Sequence, residues 1–193
     1  MDKQYITADQ LLADSIELAF RIIASDFRPD LIVGIWRGGT PVGIAVQEVM
    51  DFVGINSDHI AIRTSSYTSI GERSTVKVHG LEYLERHLTA DDKLLLVDDV
   101  FDTGLSIDSV LRELNVFYKD SPPECRVATP YFKPMNNRTT RTPDYFLYET
   151  DRWLVFPHEL MGLTEKEVIE NKPLPGHLKE RLLFLQRRHT HNR

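Results

Sequence analysis

The sequence predicts an α/β fold in which a central, mostly parallel sheet is flanked by helices. Two short runs, Leu31-Ile32-Val33-Gly34-Ile35 and Leu94-Leu95-Leu96-Val97, are apolar without alternation, the pattern of parallel strands covered on both faces. Each run leads into a glycine-bearing turn and then into residues at helical spacing. Further strand candidates alternate with helices through the middle of the chain, as crossover connections between parallel strands require.

Taken in order, Thr7 and Gln10 resemble a capping box, and Leu11, Leu12, Ile16, Ala19, Ile22 and Ile23 repeat at helical spacing to about Ser25, which predicts a cover helix ended by Pro29. Strand 31–35 feeds Arg37-Gly38-Gly39-Thr40 and a helix opened by Pro41. Ile60-Ala61-Ile62 is a third strand. Residues 64–74 are rich in Ser and Thr and poor in apolar side chains, which predicts a mobile loop, with Val76-Lys77-Val78 as its returning strand. Strand 94–97 is followed from Gly104 by a helix marked by Leu105, Val110, Leu111 and Leu114. Residues 126–132 and 144–148 read as two more strands. Residues 150–159 are too short for another crossover unit and read as a cap, followed by a helix start at Thr164-Glu165-Lys166-Glu167, a break at 173–176 and a last helix carrying Leu182, Leu183 and Leu185.

At 193 residues and 41% hydrophobic content the chain suits one domain with a sizeable core. Its net charge of −6 argues against a nucleic-acid-binding face, since the only basic cluster is terminal. Cys125 is the sole cysteine, so no internal disulfide forms and a reducing compartment is expected. Met1-Asp2-Lys3-Gln4 lacks the apolar core of a signal peptide and no stretch of 18 apolar residues occurs, so the expected location is cytoplasmic, with no membrane partner.

The chemistry concentrates at strand ends. Asp98 and Asp99 stand at the carboxyl end of strand 94–97, and Asp102-Thr103-Gly104-Leu105-Ser106 adds an acid, two hydroxyls and a glycine turn before a helix whose free N–H groups favour an anion, a constellation suited to a sugar phosphate. Gly38 and Gly39 let a backbone approach a phosphate closely, and Arg37 supplies a forked donor, although alone this segment reads more readily as a βα turn with a surface arginine. Lys133 stands just past a strand end, where a surface lysine is the plain alternative. Trp153 and Phe156 read either as parts of a ligand hood or as core residues.

An apolar strand, two acids, two spacers and Asp-Thr-Gly-x-Ser/Thr, all present in 94–106, resemble the ribose-phosphate signature of the type I phosphoribosyltransferases. The resemblance covers roughly residues 30–160 and implies that family's fold, with a small hood. It implies that Asp98 and Asp99 hold the ribose hydroxyls of phosphoribosyl pyrophosphate (PRPP), directly or through Mg²⁺, and that Thr103, Gly104, Leu105 and Ser106 wrap the 5′-phosphate. The Arg37-Gly38-Gly39 loop would contact pyrophosphate, with a cis peptide expected between Trp36 and Arg37. Asp102 would be the catalytic acid/base at N7 of the base. Ser66 and Tyr67 resemble the Ser-Tyr pair of the loop that closes over 6-oxopurine sites.

Lys133 in Lys133-Pro134 matches the lysine that donates to O6 in 6-oxopurine enzymes. Residues 150–159 resemble the hood of xanthine–guanine phosphoribosyltransferases. Trp153 and Glu159 would there meet the purine edge through their backbone, and Leu154 or Val155 would cover the ring, while His158 departs from the usual aromatic residue. The implied activity is purine salvage: PRPP and hypoxanthine, guanine or xanthine give the nucleoside monophosphate and pyrophosphate. The implied assembly is a homo-oligomer, dimer or tetramer. The implied division is a phosphoribosyltransferase domain over 1–163, with the hood at about 149–163, and a C-terminal helical extension over 164–193. A PRPP-binding regulatory protein, or an enzyme for adenine or a pyrimidine, are the alternatives.

Overall fold

The computed structural model describes residues 3–67, 75–119 and 121–190, with the side chains of 66, 67, 75–77 and 190 outside that description. The elements run β1 (Lys3–Tyr5), α1 (Ala8–Ala24), β2 (Leu31–Trp36), α2 (Gly39–Phe52), β3 (Asp58–Tyr67), β4 (Thr75–His79), α3 (Leu81–His87) and β5 (Lys93–Val97). They continue with β6 (Val100–Phe101), α4 (Leu105–Phe117), β7 (Glu124–Phe132), a 3₁₀ turn (Pro134–Asn136), β8 (Tyr145–Glu149), β9 (Trp153–Val155), α5 (Glu165–Asn171) and α6 (Gly176–Thr190). Two compact units result, Asp9–Asp151 and Met1–Ala8 with Arg152–Arg193.

In the larger unit the sheet runs β4-β3-β2-β5-β7, with β6 and β8 also on β7. Every pairing in it is parallel except β3 with β4. The two continuous apolar runs are its centre: Leu31, Val33, Leu94 and Leu96 lie in one core cluster with Val110, Leu114 and Val127. Burying each such side chain contributes about 1.5–3 kcal/mol, which fixes β2 and β5 side by side and so fixes where their carboxyl ends emerge.

β5 and β6 are one strand with a break. Val97 stands opposite Ala128 and Val100 opposite Tyr131, so the register on β7 resumes unshifted after Asp98 and Asp99. The Asp98 N–H still donates to the Ala128 carbonyl at 3.1 Å. Pro130, which lies in the stretch of β7 between these pairings, has no N–H to give, and the ladder opens there.

Three elements differ from the sequence expectation. α2 begins at Gly39, two residues before Pro41, because a proline in the first helical turn forfeits no hydrogen bond. β3 continues through Tyr67, pairing Ser66 with Val76 and Tyr67 with Thr75, where a loop from residue 64 was expected. An antiparallel partner makes a ladder out of this polar stretch, and the rest of the expected loop, 68–74, lies outside the described residues. Trp153–Val155 forms β9, paired in parallel with β1.

In the smaller unit Val155 packs with Leu163, Val168 and Leu183, and Tyr5 lies against them. A capping box between Thr164 and Glu167 starts α5, and Lys3 bonds Glu167 at 2.5 Å. Among the described residues no helix is long and apolar enough to cross a membrane.

Candidate active site

The break between β5 and β6 presents Asp98 and Asp99, and the turn between β2 and α2 lies directly on them. A Cβ built on Gly38 would fall 1.9 Å from Asp99 Oδ2, and one on Gly39 would fall 2.2 Å from the Val97 carbonyl oxygen. Only glycine permits this approach. The Asp99 N–H donates to Asp98 Oδ1 at 3.0 Å. Burial first, and the adjacent Asp99 charge second, push the Asp98 carboxyl well above its ordinary 3.8, while the amide N–H groups of Asp99 and Gly39 pull the other way. The Trp36–Arg37 peptide is cis, where the resemblance places one, and Arg37 is exposed.

Downstream, Gly104 takes φ +74° as the N-cap of α4, a conformation that disfavours any side chain, and a Cβ there would meet the Phe101 ring at 2.7 Å. No side chain caps α4; the Leu105 N–H reaches Thr103 Oγ1 at 3.4 Å, and the first-turn N–H groups carry the positive end of the helix dipole. The turn and helix start enclose a pocket of about 70 Å³ lined by Asp98, Asp102, Thr103, Gly104, Ser106 and Ile107, among others. Thr64 Oγ1 donates to Ser106 Oγ at 3.2 Å, tying β3 to the rim. Among the described residues no three His, Cys, Asp or Glu side chains converge as a metal site.

Asp102 is brought beside Lys133. The lysine side chain is 8% exposed and the aspartate 43%, with Lys133 Nζ 3.4 Å from Asp102 Oδ2. Asn136 Nδ2 donates to Asp102 Oδ1 at 2.7 Å. Sequence reasoning missed Asn136. Its only signal is Pro134, which turns the chain after β7 into a 3₁₀ turn and brings the third residue past Lys133 back to the strand ends.

The structure thus unites Arg37, Gly38, Gly39, Asp98, Asp99, the 102–106 turn and Lys133 at the carboxyl ends of β2, β5, β6 and β7, the rim where open parallel sheets bind ligands. The backbone of Ser66 and Tyr67 ends β3, and their side chains lie outside the description. Trp153, Leu154, Val155 and Glu159 belong to the smaller unit. There Trp153 is exposed, Leu154 is buried and Val155 is in the core. The Glu159 carboxylate accepts from the Phe156 N–H at 3.0 Å, so the acid shapes its own turn.

Comparison with known proteins places this geometry. A purine phosphoribosyltransferase from Pyrococcus horikoshii is 28% identical, with a TM-score of 0.66 over 85% of this chain and 99% of that one. A hypothetical protein from Neisseria gonorrhoeae with bound ppGpp gives 21% identity and a TM-score of 0.68 over 84% and 92% of the two chains. A xanthine-guanine-hypoxanthine phosphoribosyltransferase from Helicobacter pylori gives 22% and 0.64 over 80% and 92%. No curated protein sequence gave a significant match. The family model for the phosphoribosyl transferase domain matches residues 3–160, a stretch that holds every strand-end residue described above, and the chain belongs to that family.

Proposed function

We propose that the chain transfers the 5-phosphoribosyl group of PRPP to N9 of a 6-oxopurine, hypoxanthine, guanine or xanthine, releasing the nucleoside 5′-monophosphate and pyrophosphate in purine salvage. The observation that carries the choice of base is the Lys133 ammonium 3.4 Å from the Asp102 carboxylate. A 6-oxopurine offers O6 and N7 as neighbours on one edge, and a donor beside a carboxylate matches O6 beside a protonated N7. The N9–C1′ bond forms as the C1′–pyrophosphate bond breaks, and Asp102 accepts the N7 proton. Amides of the Arg37-Gly38-Gly39 loop hold the departing pyrophosphate, the first turn of α4 holds the 5′-phosphate, and Asp98 and Asp99 meet the ribose hydroxyls and face the cationic sugar.

Asp98 and Asp99 suit Mg²⁺. They are hard oxygen donors whose joint ionisation burial opposes, a penalty that a cation removes, and two carboxylates with substrate phosphates are this ion's usual setting. Asp98 and Asp99 would hold the ion, which would supply positive charge for the pyrophosphate. The same reading makes the protein cytoplasmic and homo-oligomeric. A second copy is assigned to the apolar groove of about 590 Å³ between α1 and α2, where Leu12, Phe20, Ile44 and Phe52 are exposed, Phe52 by 92%. Four large apolar side chains clustered on one face are the kind of exposed patch that marks an interaction site, and a two-fold mate offers the same surface in return. Phe52→Glu should lower the sedimentation mass, and a wild-type monomer refutes the assignment.

Pyrophosphate release, measured with PRPP and each purine and pyrimidine base, tests the activity. The 6-oxopurines should exceed adenine at least about tenfold in kcat/KM, because a 6-amino group, itself a donor, offers the buried Lys133 ammonium no acceptor where O6 does, a hydrogen bond worth about 1–3 kcal/mol. Lys133→Met should shrink that gap. A preference for adenine, or dependence on no base at all, refutes the proposal.

A further inference from the structure

The segment after β7 runs back along the turn that carries Asp102 and holds it at three consecutive residues. The Lys133 N–H donates to the Phe101 carbonyl at 2.9 Å, and the Arg138 N–H donates to the Thr103 carbonyl at 3.0 Å. Between these main-chain bonds lies the Asp102 carboxylate, whose Oδ1 accepts from Asn136 Nδ2 at 2.7 Å and whose Oδ2 faces Lys133 Nζ at 3.4 Å. All of these residues belong to the larger unit.

The 3₁₀ turn creates the arrangement. The Asn136 N–H bonds the Lys133 carbonyl at 3.1 Å and the Asn137 N–H bonds the Pro134 carbonyl at 3.4 Å. With three residues per turn, side chains three apart eclipse one another, and Lys133 and Asn136 are such a pair. A half-buried carboxylate such as that of Asp102 would otherwise exchange among its rotamers. The shorter of its two bonds is the one from Asn136, and a hydrogen bond to an ionised partner is about twice as strong as a neutral one. Each carboxylate oxygen keeps a further lone pair with which to take a proton.

We propose that Asn136 is a positioning residue for the transfer step, fixing the rotamer of Asp102 so that a carboxylate oxygen stands where the proton leaves the base. The inference rests on the reading that Asp102 accepts that proton. Since the bonds to Phe101 and Thr103 are main chain, an alanine at 136 releases the carboxylate and leaves the 102–106 turn in place. Asn136→Ala should lower the single-turnover rate about tenfold, the scale of one lost hydrogen bond to a charged group, with PRPP affinity by calorimetry within about twofold of wild type. Asn136→Asp, which keeps the shape but sets a second carboxylate against the first, should lower the rate further.

The double variant separates positioning from a merely structural role. On an Asp102→Asn background, Asn136→Ala should cause no further loss, because a residue that acts through a proton acceptor has nothing to act on once the acceptor is gone. An unchanged rate in Asn136→Ala overturns the proposal, as does an equal fold-loss on both backgrounds or a fall in PRPP affinity that matches the fall in rate. Circular dichroism establishes folding, and if the alanine variant is unfolded the aspartate variant reads the same comparison. Wild-type turnover in Asp102→Asn alone overturns the assigned proton acceptor, and this inference with it, before any change at Asn136 is compared.

Discussion

Gly39→Ala would test the contact that holds the 37–39 loop against the acidic strand end. The added Cβ would lie 2.2 Å from the Val97 carbonyl oxygen and 2.8 Å from Asp98 Cα. Carbon and oxygen approach to about 3.3 Å without strain, so the loop or the strand end must retreat by about 1 Å. Both neighbours are main chain, and neither can swing aside. Overpacking of this kind costs about 1–3 kcal/mol, which in a chain of this length lowers Tm by about 2–12 °C. A 1 Å displacement of positioning groups lowers kcat/KM about a hundredfold.

Gly43→Ala, one helical turn along, is the control. There the nearest atoms are Gly34 Cα at 3.7 Å and Val97 Cβ at 3.9 Å, ordinary contact. An alanine inside a helix stabilises by about 0.5–1 kcal/mol, so Tm should rise and kinetics should stay at wild type. Thermal melts followed by circular dichroism, with pyrophosphate release at varied PRPP, separate the two. If the two alanines behave alike, or if Gly39→Ala keeps wild-type Tm and kinetics, the loop does not rest on the strand end as described.

Two further outcomes follow from single side chains. Asp102→Asn keeps the Asn136 and Lys133 neighbours but cannot take a proton, so turnover should fall about 10²- to 10⁴-fold with PRPP affinity nearly unchanged; calorimetry and single-turnover rates check both halves. The Lys3 ammonium, and then the Thr164 backbone N–H, pull the Glu167 carboxyl down from its ordinary 4.5 to about 2. Its folded value is the depressed one, so its contribution to stability is complete above about pH 4.5 and is lost as the pH falls toward 2. Between those limits wild type should lose Tm faster than Glu167→Gln, and parallel curves would remove Glu167 from the account.

How much of this was legible depended on whether a segment's state is decided locally. β2 and β5 are continuous apolar runs buried on both faces, and α1 carries its own periodicity, so each announces itself. β6 is two residues long and exists only because β7 pairs with it. β1 is three residues whose partner lies some 150 positions away, at Trp153–Val155, a pairing that no local pattern encodes. Within the site, the acids, glycines and hydroxyls were readable because their spacing is itself the chemistry. Asn136 was not, since an amide near a proline is ordinary until folding brings it to a carboxylate.

The unshifted register on either side of Asp98 and Asp99 limits how that segment can vary. Phe101 is buried in the core, and its ring is the neighbour that Gly104 makes room for. Inserting or deleting one residue between Val97 and Val100 would move every following side chain of the strand to the opposite face, turning Phe101 away from the core and pulling the 102–106 turn out of line. The number of acids at this rim is therefore counted by the hydrogen-bond ladder of the sheet, and a third could be gained only by replacing a residue already in place.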